Sequence, residues 1–210
     1  MPDHGYMDET ADFDRLCRIV YRAARAGAVD CTDTFDLAAS VLEFRPADPD
    51  ATELASQSLD CAPGSRLHRA ELALVVLAKA DFAPGFAEEP GWLVRLQEAM
   101  RLVNRDIAAS GLPHGCRLRV RENAYAETWD GHTGSGQGVL PDSGADPVSA
   151  LVAVADDAQD AVMHALWSAW PECPAHRRGV HARRHGGAAV WWCTGEGGHG
   201  VARIGDWPRP

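Results

Sequence analysis

The sequence predicts an α-dominated α+β protein: a helical body, then a long helix, then a small C-terminal β module. Three observations carry that reading. Five stretches before residue 112 repeat apolar residues at helical spacing, and residues 117–122 alternate at strand spacing. The last forty residues give up aliphatic content for cysteine, histidine, glycine and tryptophan.

The first helix is expected from Thr10 to Gly27, where Phe13, Leu16, Val20, Ala23 and Gly27 recur at steps of three and four, with Arg15, Arg18, Arg22 and Arg25 on the other faces. A second begins at Asp33 as cap, with Asp36 near the positive helix end, and runs through Leu37, Val41 and Leu42 to stop before Pro46. Asp50 to Leu59 reads as a shorter third. Pro63-Gly64 breaks the chain, after which Ser65 caps a strongly apolar fourth helix to Ala80. The fifth starts at Pro90 and lines up Trp92, Leu96, Ala99, Met100, Val103 and Ile107 before Gly111.

Arg117-Leu-Arg-Val-Arg-Glu122 is a half-exposed strand, with three arginines on one face and Leu118 and Val120 on the other. Residues 129–147 form a Gly/Pro-rich linker or loop. Their glycines are not a phosphate loop, because no lysine follows and no helix opens after them. The expected organisation is therefore a body over 1–128, the linker, and a second part over 148–210. Asp146 caps a long helix to about Trp170, with Pro147 in its first turn. One side of it gathers Leu151, Ala155, Ala158, Val162, Leu166 and Ala169. The other carries Asp156, Asp157, Asp160 and His164 and reads as a solvated face. Trp167 and Trp170 lie toward that polar flank, so the tail is expected to cover both.

The 210 residues, 46% hydrophobic and 24% charged, exclude wholesale disorder. The net charge of −10 resolves to −8 over residues 1–60, 0 over 61–115, −5 over 116–170 and +3 over 171–210. An acidic body repels nucleic acid and anionic membranes, so only the tail offers a surface for such partners. Six scattered cysteines in a chain of this length do not read as a disulfide framework. Cys17 and Cys61 are expected to behave as small buried hydrophobes. With no apolar run long enough to span a membrane and an acidic opening (Asp3, Asp8, Glu9), the expected location is the cytoplasm.

Chemistry concentrates in the tail. Cys173-Pro-Ala-His176 is followed by Cys193, which closes the aromatic run Ala188-Ala-Val-Trp-Trp-Cys193, and then by His199. A two-residue gap lets the Cys173 thiolate and the His176 imidazole turn toward one point, Pro174 stiffens the turn, and a hairpin returns Cys193 to the same end. A thirty-five-residue piece so poor in aliphatic side chains gains the stability it lacks from a metal. Cys173, His176, Cys193 and His199 are the expected ligands of a Zn²⁺ ion. His181 and His185 are alternatives for the fourth position, and a Cys173–Cys193 disulfide is the alternative without metal. Residues 171–205 resemble a zinc-ribbon module, as in actinobacterial proteins ending in Trp-Pro-x-Cys-Pro-x-His and Trp-x-Cys…Gly-His segments. The resemblance implies a module rather than an activity.

No His-Glu-x-x-His, Gly-x-Ser-x-Gly or Walker lysine occurs. The expected function is that of a zinc-stapled, non-enzymatic interaction or accessory protein of the bacterial cytoplasm, with a protein partner. One alternative is a small zinc enzyme with three ligands, a metal-bound water, Glu196 as base and a pocket lined by His164, Asp160 and His132. Another is nucleic-acid binding through Arg177, Arg178, Arg183 and Arg184 beside Trp191 and Trp192.

Overall fold

The computed structural model describes residues 4–121, 125–129 and 138–209. These fold as two compact units, Met1–Pro84 and Gly85–Pro210. The layout is helix-dominated α+β, as expected. Among the described residues no helix is long and apolar enough to cross a membrane.

The N-terminal unit holds α1 (His4–Arg25), α2 (Cys31–Phe44), α3 (Pro49–Asp60) and α4 (Arg66–Lys79). Its core is the stripe of each helix that recurs at three and four: Cys17 and Val20 from α1, Leu37 and Val41 from α2, Leu54 from α3, and Ala73, Val76 and Leu77 from α4. The first three helices start earlier than the spacing suggested, while α4 starts directly after Ser65 as expected. Asp30, not Asp33, caps α2, because Asp30 takes the extended backbone that lets its carboxylate accept from the Thr32 and Asp33 amides. Asp48 does the same for α3, with Pro49 in the first turn.

Cysteine use is corrected here. Cys61 is exposed rather than buried and forms a disulfide with Cys31, their Cα atoms 5.9 Å apart. The start of α2 meets the end of α3, where Cys61 takes a left-handed conformation (φ 47°) as the residue that ends the helix. Cys17 matches its expectation: it is buried, and burial pushes its thiol up to about 11.

The C-terminal unit comprises α5 (Pro90–Ala109), the hairpin β1 (Arg117–Arg121) and β2 (Tyr125–Trp129), α6 (Pro147–Leu166), and an antiparallel sheet in the order β3 (His181–His185), β4 (Ala188–Cys193), β5 (His199–Arg203). Helix α5 and strand β1, grouped by the sequence reading with the first body, fold in this second unit, and β2 is an added strand pairing Leu118 with Thr128. One core joins Leu96, Met100, Val103 and Ile107 of α5 to Val154, Ala158 and Val162 of α6 and to Trp170, Val180, Trp191 and Ile204 of the tail. The sheet is thus continuous with the helices and not a free-standing appendage.

Residues 130–137, including His132, lie outside the described residues. The rest of the segment read as linker is structured: Pro141–Ala145 is a short 3-10 turn with Pro141 and Gly144 buried. A Cβ at Gly144 would come within 2.7 Å of the Trp92 side chain, and the Arg95 guanidinium donates to the Gly144 carbonyl.

Two buried polar side chains fasten the tail. Asp106 of α5 accepts from Trp191 Nε1 at 2.7 Å, the Gly205 amide at 2.7 Å and the Trp207 amide at 2.8 Å. Burial still holds its carboxyl above the usual range, against the pull of those three donors. Gln159 of α6 donates to the carbonyls of Trp170 and Val180. The polar flank of α6 is not uniformly solvated, since Asp157 is buried and accepts from the Gly138 amide. Trp170 behaves as expected, packed edge-on against Trp191 with its Nε1 on Ser110 Oγ. Trp167 does not: the helix ends at Leu166, Trp167 turns left-handed (φ 53°), and its side chain stays 87% exposed.

Candidate metal centre

The tail brings Cys173, His176, Cys193 and His199 together, one ligand atom of each lying within 4.8 Å of all the others. Cys173 and His176 occupy a tight turn closed by the Arg177 amide on the Cys173 carbonyl (2.8 Å) and the Cys173 amide on the Arg178 carbonyl (2.7 Å). Cys193 ends β4 and His199 begins β5, and the two are direct cross-strand partners. That register explains the five-residue gap between the two. The five residues between them are the hairpin loop, and its Gly197 and Gly198 supply the positive φ angles (80° and 46°) that the reversal requires.

Cys173 Sγ lies 3.7 Å from His176 Nδ1 and 3.6 Å from His199 Nε2, and Cys193 Sγ lies 3.3 Å from His176 Nδ1. A tetrahedron with metal–ligand bonds of about 2.0–2.3 Å has edges of about 3.3–3.8 Å. These three separations match that range, and all four atoms lie within 4.8 Å of one another, so the cluster could hold one ion. Both sulfurs are fully buried, while the imidazoles are half-buried and close the outer side.

Amide donors favour the thiolate form. Burial works to raise the Cys173 thiol, but the amides of His176 and Ala175 and the neighbouring Cys193 outweigh it and hold it below the usual thiol range. The Gly195 amide donates to Cys193 Sγ at 3.3 Å. Gly195 has to be glycine for a steric reason. A Cβ there would fall 2.7 Å from Cγ and Nδ1 of His176. Sequence reasoning missed this residue, which reads only as one glycine among several.

The other candidates separate. His181 and His185 lie on β3 and are not part of the cluster. Asp157, Asp160 and His164 form no metal-holding group with one another among the described residues. Of the residues read as a nucleic-acid surface, Trp191 is wholly buried, Arg177 pairs with Glu172 at 2.7 Å, and Arg184 pairs with Asp146. Cys173 and Cys193 are free thiols, not a disulfide. Fold and site together define a helix-dominated α+β protein with a Cys₂His₂ cluster that could hold a metal ion. Comparison with family models, curated proteins and solved structures returned no match to this chain.

Proposed function

We propose that this is a zinc-stapled, non-enzymatic interaction or accessory protein. The observation that supports it is the cluster of Cys173, His176, Cys193 and His199, whose ligand atoms lie within 4.8 Å of one another. Two thiolates and two imidazoles suit Zn²⁺ over the hard, oxygen-seeking cations. A set supplied entirely by the protein leaves no position for water, which separates structural sites from catalytic ones. Zinc here would join the Cys173 turn to the β4–β5 hairpin, and through Trp170 and Trp191 would firm the sheet on α5 and α6. The expected partner is another protein, in keeping with an acidic chain. A Cys31–Cys61 disulfide with Cys61 exposed belongs more naturally to an oxidising compartment than to a reducing cytoplasm.

Metal analysis of the purified chain tests this reading. One zinc per chain is expected, lost in Cys173→Ser and in Cys193→Ser. A metal-free parent, or a parent whose zinc survives both substitutions, would refute it.

A further inference from the structure

We propose that the outer face of the β3–β4–β5 sheet docks a carboxylate-rich segment of a protein partner, gripped by Arg183 and Arg203 on either side of Val190 and beside Trp192. The proposal names the partner chemistry for the interaction reading above and rests on it. In the sheet register Arg183 pairs with Val190 and Val190 with Arg203, so one row carries a cation on each outer strand and an apolar residue between them. Two pairs further on, His181 stands opposite Trp192, and Trp192 opposite Gly200. The Arg183 guanidinium carbon lies 4.8 Å from the centre of the Trp192 ring, and the His185 ring lies 4.6 Å from it. Stacking on an indole fixes the plane of a guanidinium while sparing its edge N–H groups, the arrangement that meets a carboxylate at two points.

Charge makes the same case. The chain has 30 acids against 20 bases, and two other tail arginines are matched: Arg177 with Glu172, and Arg184 with Asp146. Arg183 and Arg203 are exposed and make no ion pair with any described residue. Between Val180 and Ile204 the single acid is Glu196, in the turn after β4. On the adjoining helix Asp156 feels the charge of His181, and it makes no ion pair with either arginine. Two fixed cations thus stay unopposed in an acidic molecule.

A short acidic peptide fits this face better than a nucleic acid. A nucleic acid would bind here through stacked bases as well as through its phosphates. Arg183 covers the indole on which a base would have to stack.

The test is an amide chemical-shift titration of the metal-loaded full chain with a capped hexaglutamate peptide, alongside an oligothymidylate of equal charge. The expected result is saturable shifts at residues 181–185, 190–192 and 203 with the peptide. Affinity should fall roughly tenfold or more in the Arg183→Glu, Arg203→Glu double variant, and to a lesser degree in the Arg183→Gln, Arg203→Gln pair that keeps side-chain size. No saturable shift, shifts confined to other surfaces, or tighter binding of the oligothymidylate would overturn the proposal. Metal content is read on the same samples. A zinc-loaded parent that ignores the peptide defeats this proposal alone, and a metal-free parent that binds it defeats only the zinc reading.

Discussion

Replacing Gly195 with alanine adds one methyl group beside the metal centre and changes nothing else there. Gly195 has no positive φ, so alanine takes its backbone without strain and the effect is steric. The new Cβ would sit 2.7 Å from two atoms of the His176 ring and 3.0 Å from a third, well inside van der Waals contact. Either His176 rotates away from the ligand position, or the Gly195 backbone withdraws and loses its amide bond to Cys193 Sγ. Both routes act through a neighbour of the ligands, a position where loss costs about 10–100-fold in metal affinity. That range corresponds to about 1.4–2.8 kcal/mol. The assay is competition for zinc against a chromophoric chelator. Gly197→Ala is the matched control. It lies in the same loop at φ 80° with nothing within 4 Å of its Cβ, so it strains the backbone without touching a ligand. Gly197→Ala should lower stability and change zinc affinity less than Gly195→Ala does. If Gly195→Ala holds zinc as tightly as the parent, His176 is not a ligand in the geometry described.

Trp170→Ala should destabilise the C-terminal unit by about 3–5 kcal/mol in urea unfolding, while Trp167→Ala, with its ring in solvent, should stay within about 0.5 kcal/mol. Equal effects would contradict the ending of α6 at Leu166. Replacing Cys31 and Cys61 together with serine opens a loop of separation 30 and should cost about 3–4 kcal/mol, with zinc content unchanged. Loss of zinc in that variant would show that the disulfide acts beyond its own unit. Asp146, whose carboxylate accepts from the Ser149 amide and then from the Ser149 hydroxyl and Arg184, is held below the usual carboxylate range. A lowered folded value means that its contribution is present above about pH 4 and is lost as pH falls through the folded value. The parent should therefore lose stability on acidification more steeply than Asp146→Asn, and identical pH profiles would refute the capping role.

The helices were legible because the recurrence of apolar residues is a property of the chain alone: Val20, Leu37, Val41, Leu96 and Val103 are buried, although Phe13, Leu16 and Ala23 of the first stripe are only half-buried beside the buried Cys17. Cap identity was not, since Asp30 and Asp33 offer the same carboxylate and only the backbone decides which one reaches the free amides. The four-residue cluster was readable from residue types and order. Its hairpin register was not, because Cys193 and His199 become neighbours only when β4 pairs with β5. The Cys31–Cys61 bond likewise depends on how two helices meet. Asp106 and Gln159 were within reach. Asp106 stands three residues beyond Val103 and Gln159 four beyond Ala155, each a polar side chain on an apolar stripe and so in need of a buried partner. Trp167 was misread because the wheel assumed a helix that continues past Leu166.

X-ray absorption at the zinc edge tests the central claim most directly, because it counts and identifies the ligand atoms. The account predicts one zinc bound by two sulfurs at about 2.3 Å and two nitrogens at about 2.0–2.1 Å, supplied by Cys173, Cys193, His176 and His199. A spectrum requiring a water oxygen in place of one nitrogen, or a single sulfur, would contradict it and reopen the site to chemistry.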